Sequence, residues 1–212
     1  MKVCYTHSVK YFHDRYWKKK KSPTEDYVYK VRLIKKLVPT EKYLKVLDYG
    51  CGRGDIAKVV LSVNPTLKLT GVDVSKFAIS SARKKLPNQK FVTIVEDKML
   101  PFKDNTFDFV MALDVLELVR DTEVAFNELS RVLSKNGKLL ITLPYYGFFK
   151  NLVIAVIAFD EIYNPRSPFI RFYTKRNLMN EINAAGLVPT VFGYFGRFYP
   201  FSRAMYCICK KK

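Results

Sequence analysis

A chain of 212 residues with 49% hydrophobic content is long enough to bury one substantial core and too apolar for wholesale disorder. Its longest apolar run, Leu152 to Phe159, falls far short of the roughly 20 residues that a membrane-spanning helix needs. The net charge of +18 is uneven: residues 1–45 hold 13 Lys/Arg against 4 Asp/Glu, residues 46–143 hold 14 against 12, and residues 144–212 hold 10 against 3.

A nearly neutral middle between basic flanks fits an anionic partner at the flanks: an acidic substrate, an anionic membrane surface or nucleic acid. It fits equally well a surface that is basic only for solubility. The run Lys18–Lys21 by itself reads as a solvated loop. After Met1-Lys2 no apolar segment or cleavage site follows, so a cytoplasmic location is expected. Cys4, Cys51, Cys207 and Cys209 make no disulfide framework. With His7 and His13 as the only histidines, no metal site is expected either.

In chain order, a basic leader of about 25 residues precedes a helix marked by Val28, Val31, Ile34, Leu37 and Val38 and stopped by Pro39. Tyr43 to Tyr49 reads as a buried strand, Asp55 to Val63 as a helix and Leu67 to Val72 as a second strand. Ser75 caps a helix with Ala78, Ala82 and Leu86 on its inner face. Phe91 to Val95 and Phe107 to Leu113 are strands three and four. Asp121 caps a helix with Ala125, Leu129, Val132 and Leu133 inward, closed by Asn136-Gly137, and Lys138 to Leu143 is strand five.

An apolar and aromatic insertion then runs to about Tyr173. Within it, FFKNLVIAVIAF (148–159) is apolar around nearly its whole circumference, which fits core, a lid over a hydrophobic acceptor, or a segment at a membrane interface. Thr174 caps a helix bearing Leu178, Ile182 and Ala185, closed by Gly186. Strands at Leu187 to Tyr194 and Ala204 to Cys209 follow with no helix between them. Alternating strands and helices predict an α/β, Rossmann-like, mostly parallel seven-stranded sheet with helices on both faces and an antiparallel C-terminal edge hairpin. The expected organisation is a single domain over 1–212: a basic leader and helix (1–40), a cofactor-binding core (41–143), the apolar insertion (144–173) and a closing helix and hairpin (174–212).

Four segments carry the chemistry. In VLDYGCGRGDI (46–56) an apolar strand delivers Asp48, then Gly50, Gly52 and Gly54, then a helix. The glycines allow a sharp turn and a close approach to a ligand. The spacing is GxGxG and not the GxGxxG of dinucleotide sites. Asp48 would repel a pyrophosphate, yet can order the turn or attract an ammonium group. In LTGVDVS (69–75), Asp73 ends the next strand, where an acidic side chain suits ribose hydroxyls or caps a helix. In VEDKMLPF (95–102), Asp97 can accept from an adenine amino group, with Lys98 and Met99 beside the ring. In FDFVMALDVLELVRD (107–121), Leu113 and Asp114 stand at the carboxyl edge of the sheet.

These four segments, in this order, resemble the class I S-adenosylmethionine methyltransferases. The closest branch includes ubiquinone- and menaquinone-biosynthesis enzymes and many lipid, sugar and small-metabolite methylases. The resemblance is strongest over 46–143 and extends loosely to 170–187 and to YFHDRYW (11–17), which looks like a substrate-side leader. It implies S-adenosylmethionine as cofactor and a small-molecule or lipid-like acceptor, reached by O- or C-methylation. An RNA or protein substrate, or a non-catalytic cofactor-binding scaffold, is the alternative; no nucleic-acid module is recognisable.

The resemblance further implies that Gly50, Cys51 and Gly52 pack against the methionine part of the cofactor. It places Asp73 on the ribose, Val74 beside the adenine, Asp97 on the adenine amino group and Leu113 on the cofactor floor. Candidates for a base are His13, Asp114 and Glu117. Many relatives have His after the glutamate of the strand-four loop where this chain has Glu117-Leu118. The Asn/Asp-Pro-Pro-aromatic motif of many amide methylases is absent. The basic flanks and residues 144–173 are expected to form the acceptor side, with an anionic acceptor or a peripheral membrane contact.

Overall fold

Neighbouring residues on the parallel strands point to opposite faces, and this alternation builds two cores. The computed structural model describes residues 3–19, 26–157 and 170–212. Lys20, Lys21 and residues 158–169 of the expected insertion lie outside the described residues. Seven strands form one sheet in the order β3-β2-β1-β4-β5-β7-β6. They are β1 (Lys45–Tyr49), β2 (Lys68–Asp73), β3 (Lys90–Thr93), β4 (Phe107–Leu113), β5 (Leu133–Pro144), β6 (Leu187–Phe195) and β7 (Ala204–Lys211). β1 to β5 pair parallel, while β7 runs antiparallel to both β5 and β6. The Rossmann-like sheet with an antiparallel C-terminal hairpin is therefore as expected, with β7 inserted inside β6.

Leu47, Val110, Ala112, Leu139 and Ile141 pack on one face with α5 (Thr122–Val132) and α7 (Lys175–Ala184). Val46, Leu69, Phe109, Met111 and Leu140 pack on the other with α2 (Asp26–Leu37), α3 (Asp55–Val63) and α4 (Lys76–Lys85). Each Val, Leu, Ile, Phe or Met side chain buried this way contributes about 1.5–3 kcal/mol. The predicted caps are present: Ser75 accepts from the Ala78 amide at 3.1 Å, Asp121 from Val124 at 3.1 Å and Thr174 from Asn177 at 3.2 Å.

Beyond shifts of a residue or two at strand ends, three differences from the sequence expectation have a clear physical reason. β1 starts at Lys45, because Tyr43 sits at φ 62° and cannot extend a strand. α5 ends at Val132, one residue before Leu133, whose backbone is already extended and pairs with Phe107. Lys138 pairs next, with Phe109, so residues 134–137 loop out of the ladder and Asn136-Gly137 closes this bulge instead of the helix. A Cβ on Gly137 would stand 2.7 Å from the Leu133 side chain, which explains the glycine.

The third difference is the leader, which folds as helix α1 (Val3–Lys19). The sequence hides it because α1 has no sustained apolar stripe. It packs on α4, over the carboxyl edge of the sheet. After β5, α6 (Phe148–Ile157) buries only Ile154 and does not complete the core.

Candidate functional site

The turn after β1 is a knot of backbone hydrogen bonds that only glycines permit. Gly50, Gly52 and Gly54 all lie at positive φ, between 53° and 77°. The Gly50 and Cys51 amides both donate to the Val72 carbonyl, at 2.8 and 2.9 Å, and tie the turn to the end of β2. One carboxylate oxygen of Asp73 accepts from the Gly52 amide at 2.9 Å, the other from the Ser75 amide at 2.8 Å. Asp73 thus clamps the glycine turn to the start of α4. The Cys51 thiol points into the core against Gly71, and burial pushes its pKa up, so this position offers its backbone and no nucleophile.

Two buried acidic side chains, Asp48 and Asp73, lie near enough at this turn to feel each other's charge. Asp48 is buried, and its Oδ2 has no partner among the described residues. Burial first, and then the charge of Asp73, push the Asp48 carboxyl up to about 7. Burial raises Asp73 to about 6, against the pull of its two amide donors. A pair of carboxylates held this way attracts a cation and repels a phosphate.

At the end of β4, Asp114 is held at φ 50°, ion-paired to Lys30 from α2 and accepting from the Thr142 hydroxyl at 2.6 Å. Leu113 beside it is half-buried. Glu117 lies in a 3-10 turn, Leu116–Leu118, 1% exposed, with neither carboxylate oxygen partnered among the described residues. Burial and the nearby Asp114 raise its pKa well above the ordinary range. Asp97 occupies the loop after β3 at φ 56° and accepts from the Asp121 amide at 3.2 Å. Arg131 anchors that loop by donating to the Leu100 and Phe102 carbonyls and pairing with Glu128. Lys98 and Met99 beside Asp97 are exposed, so they enclose nothing by themselves.

Sequence reasoning missed the part of α1 that closes over the turn. Asp14 accepts from the Ser75 hydroxyl and, at 3.1 Å, from the Phe77 amide, which docks α1 on the start of α4. One turn along, Trp17 covers Gly52, and Arg53 lies over its indole at 5.7 Å. His13 is half-buried on the same helix, and burial lowers its pKa. The available signal was YFHDRYW, whose only acid and only tryptophan make these contacts. Lys30 was missed as well, since nothing in the sequence of α2 announces its pairing with Asp114.

The structure thus brings Asp48, Gly50, Cys51, Gly52, Asp73 and Asp114 to the carboxyl edge of β1, β2 and β4, with Val74 half-buried after Asp73 and Asp97 on the adjoining loop. This sheet order, with a glycine turn and acidic strand ends at one edge, defines a Rossmann-like methyltransferase fold. Residues 47–141 match the family described as "Methyltransferase domain".

The chain is similar to the malonyl-[acyl-carrier protein] O-methyltransferase of Legionella pneumophila, 33% identical over 55% of this chain and 42% of that one. It is also similar to the demethylmenaquinone methyltransferase of Staphylococcus aureus, 37% identical over 56% of this chain and 53% of that one. The matches span about half the length of these curated relatives. Among solved structures, a SAM-dependent methyltransferase from Aquifex aeolicus superposes with a TM-score of 0.69 at 17% identity, over 92% of this chain and 97% of that one.

Proposed function

We propose that this protein, acting as one unit over 1–212, uses S-adenosylmethionine to methylate a small-molecule or lipid-like acceptor. The observation that carries the reading is the buried pair Asp48 and Asp73 beneath a glycine turn, with one Asp48 oxygen unpartnered among the described residues. That donor set fits a cationic nucleoside ligand: the carboxylates complement its positive charge, and the glycines admit its backbone-proximal part. Relatives named for malonyl-[acyl-carrier protein] and demethylmenaquinone support an acceptor of lipid-like character.

In this reading Gly50, Cys51 and Gly52 bind the methionine portion, and Asp48 contributes the negative field beneath it. Asp73 receives the ribose hydroxyls on the lone pairs that the Gly52 and Ser75 amides leave over. Val74 and Leu113 flank the adenine and the cofactor floor, and Asp97 accepts from the adenine amino group with Lys98 and Met99 alongside. The cofactor, when bound, supplies a methyl group on a positively charged sulfur, open to direct displacement. The chain's own part is to align the acceptor and exclude water.

Glu117 is the base we favour for an acceptor that carries a proton. Burial holds its carboxyl in the protonated form, so it acts as a base only once that proton has been lost, toward higher pH. Asp114 is already engaged by Lys30 and Thr142, and His13 belongs to the covering helix. We place the protein in the cytoplasm, peripheral to the membrane.

The reading is tested by incubating the protein with methyl-labelled cofactor and separate lipid, metabolite, RNA and protein fractions. Label in the lipid or metabolite fraction is expected. Label confined to RNA or protein would move the enzyme to macromolecular substrates, and cofactor binding without label anywhere would make it a scaffold.

A further inference from the structure

Helix α6 is inside out. Phe148, Phe149, Leu152, Val153, Val156 and Ile157 recur at helical spacing, cover half its circumference and are all exposed, Val156 and Ile157 at 76% each. Its polar side chains face the protein instead. Lys150 donates to the Tyr145 carbonyl at 2.7 Å and reaches the Ser202 and Arg203 carbonyls at 3.4 and 3.5 Å, while the Asn151 amide donates to the Tyr146 carbonyl at 3.3 Å. A helix on a soluble surface is patterned the opposite way.

A second apolar set adjoins it. The carbonyls that Lys150 reaches belong to the turn joining β6 to β7, which exposes Phe198, Tyr199 and Phe201. Because Ala204 pairs with Pro144, this turn and α6 share the carboxyl edge of the sheet, where the glycine turn also lies. Contiguous exposed apolar surface of this kind marks an interaction site.

We infer that α6 and the 197–201 turn form a docking face for an anionic lipid bilayer. The charge decides for lipid over a protein partner. Residues 145–157 and 195–203 contain no Asp or Glu, the turn contributes Arg197 and Arg203, and both segments belong to a chain of net charge +18. Apolar and aromatic side chains at the headgroup boundary, backed by cationic attraction, are what interfacial binding requires. Docked this way, the protein turns the site edge of its sheet toward the membrane, where a lipid-like acceptor would be met. The binding itself goes beyond the proposed methylation and does not depend on it.

The test is sedimentation of the full-length protein with vesicles of phosphatidylcholine, with and without phosphatidylglycerol. Binding to the anionic vesicles, weakened by salt, is expected. Val156→Asp and Phe198→Asp should each reduce the bound fraction about tenfold, with melting temperature and cofactor affinity unchanged. Absence of vesicle binding, or binding that both variants retain in full, overturns the inference. So does unfolding by Val156→Asp, which would mean that the face is covered within the protein, and so does loss of a dimer with no lipid binding, which would make it an interface between copies. Cofactor affinity, measured on the same samples, reports separately on the methyltransferase site.

Discussion

The protein's sole tryptophan, Trp17, stands on Gly52: a Cβ built on that glycine would meet the indole ring at 2.5 Å. The residue that keeps the glycine turn open is therefore covered by a side chain from α1, itself docked through Asp14 on the start of α4. A ligand approaching the Gly52 backbone must share that space with the indole.

Trp17 should therefore report on cofactor binding. Titration with S-adenosylmethionine is expected to change its emission saturably, while a Trp17→Phe protein binds the cofactor with no signal. Emission that stays constant while calorimetry records saturation would show that α1 does not cover the bound cofactor.

Asp48 and Asp73 make stability and affinity depend on pH in opposite directions. Both carboxyls have folded pKa values above the ordinary range of about 4 for an unfolded aspartate, at about 7 and about 6. The folded state then binds more protons than the unfolded one, so the cofactor-free protein should lose stability as pH rises from about 4 through 7. Asp48→Asn should flatten that slope in thermal melts taken across the range. Affinity for a cationic cofactor should rise over the same window, because binding favours the ionised pair. A cofactor-free protein that gains stability over this window would refute the assignment of these groups.

Glu117→Gln keeps the size of a buried side chain whose pKa is already raised, so fold and cofactor affinity should be unchanged. Loss of the base should lower kcat by about 10²-fold, and the pH dependence of kcat should lose its acidic limb. Full activity in Glu117→Gln would leave alignment alone as the source of the rate.

Much of this site is legible in the chain because strand ends in a parallel sheet converge on one edge. Asp48, Asp73 and Leu113 each end an apolar run, so their positions follow from periodicity. What could not be read depends on contacts distant in sequence. Asp14 meets Ser75 across 61 residues, Lys30 meets Asp114 across 84, and no local pattern on α1 or α2 encodes either pairing. The composition of 148–159 left core, lid and membrane open, with core the leading reading. Over 148–157 the structure buries only Ile154, while Lys150 and Asn151 donate to carbonyls beneath the helix and the remaining apolar side chains turn out. The end of α5 was misread because Leu133, apolar and at helical spacing, serves a strand.

The central claim is that the glycine turn and its acidic neighbours bind S-adenosylmethionine. Calorimetric titration of the wild-type protein, of Gly52→Val and of Asp97→Ala tests it most directly, with NAD as the competing ligand. The account predicts saturable binding of S-adenosylmethionine and none of NAD. Gly52→Val should abolish binding by combining a positive φ with a blocked turn, and Asp97→Ala should weaken it by about tenfold or more through the lost charge-assisted bond. Undiminished affinity in Gly52→Val, or binding of NAD in preference to S-adenosylmethionine, would contradict the account.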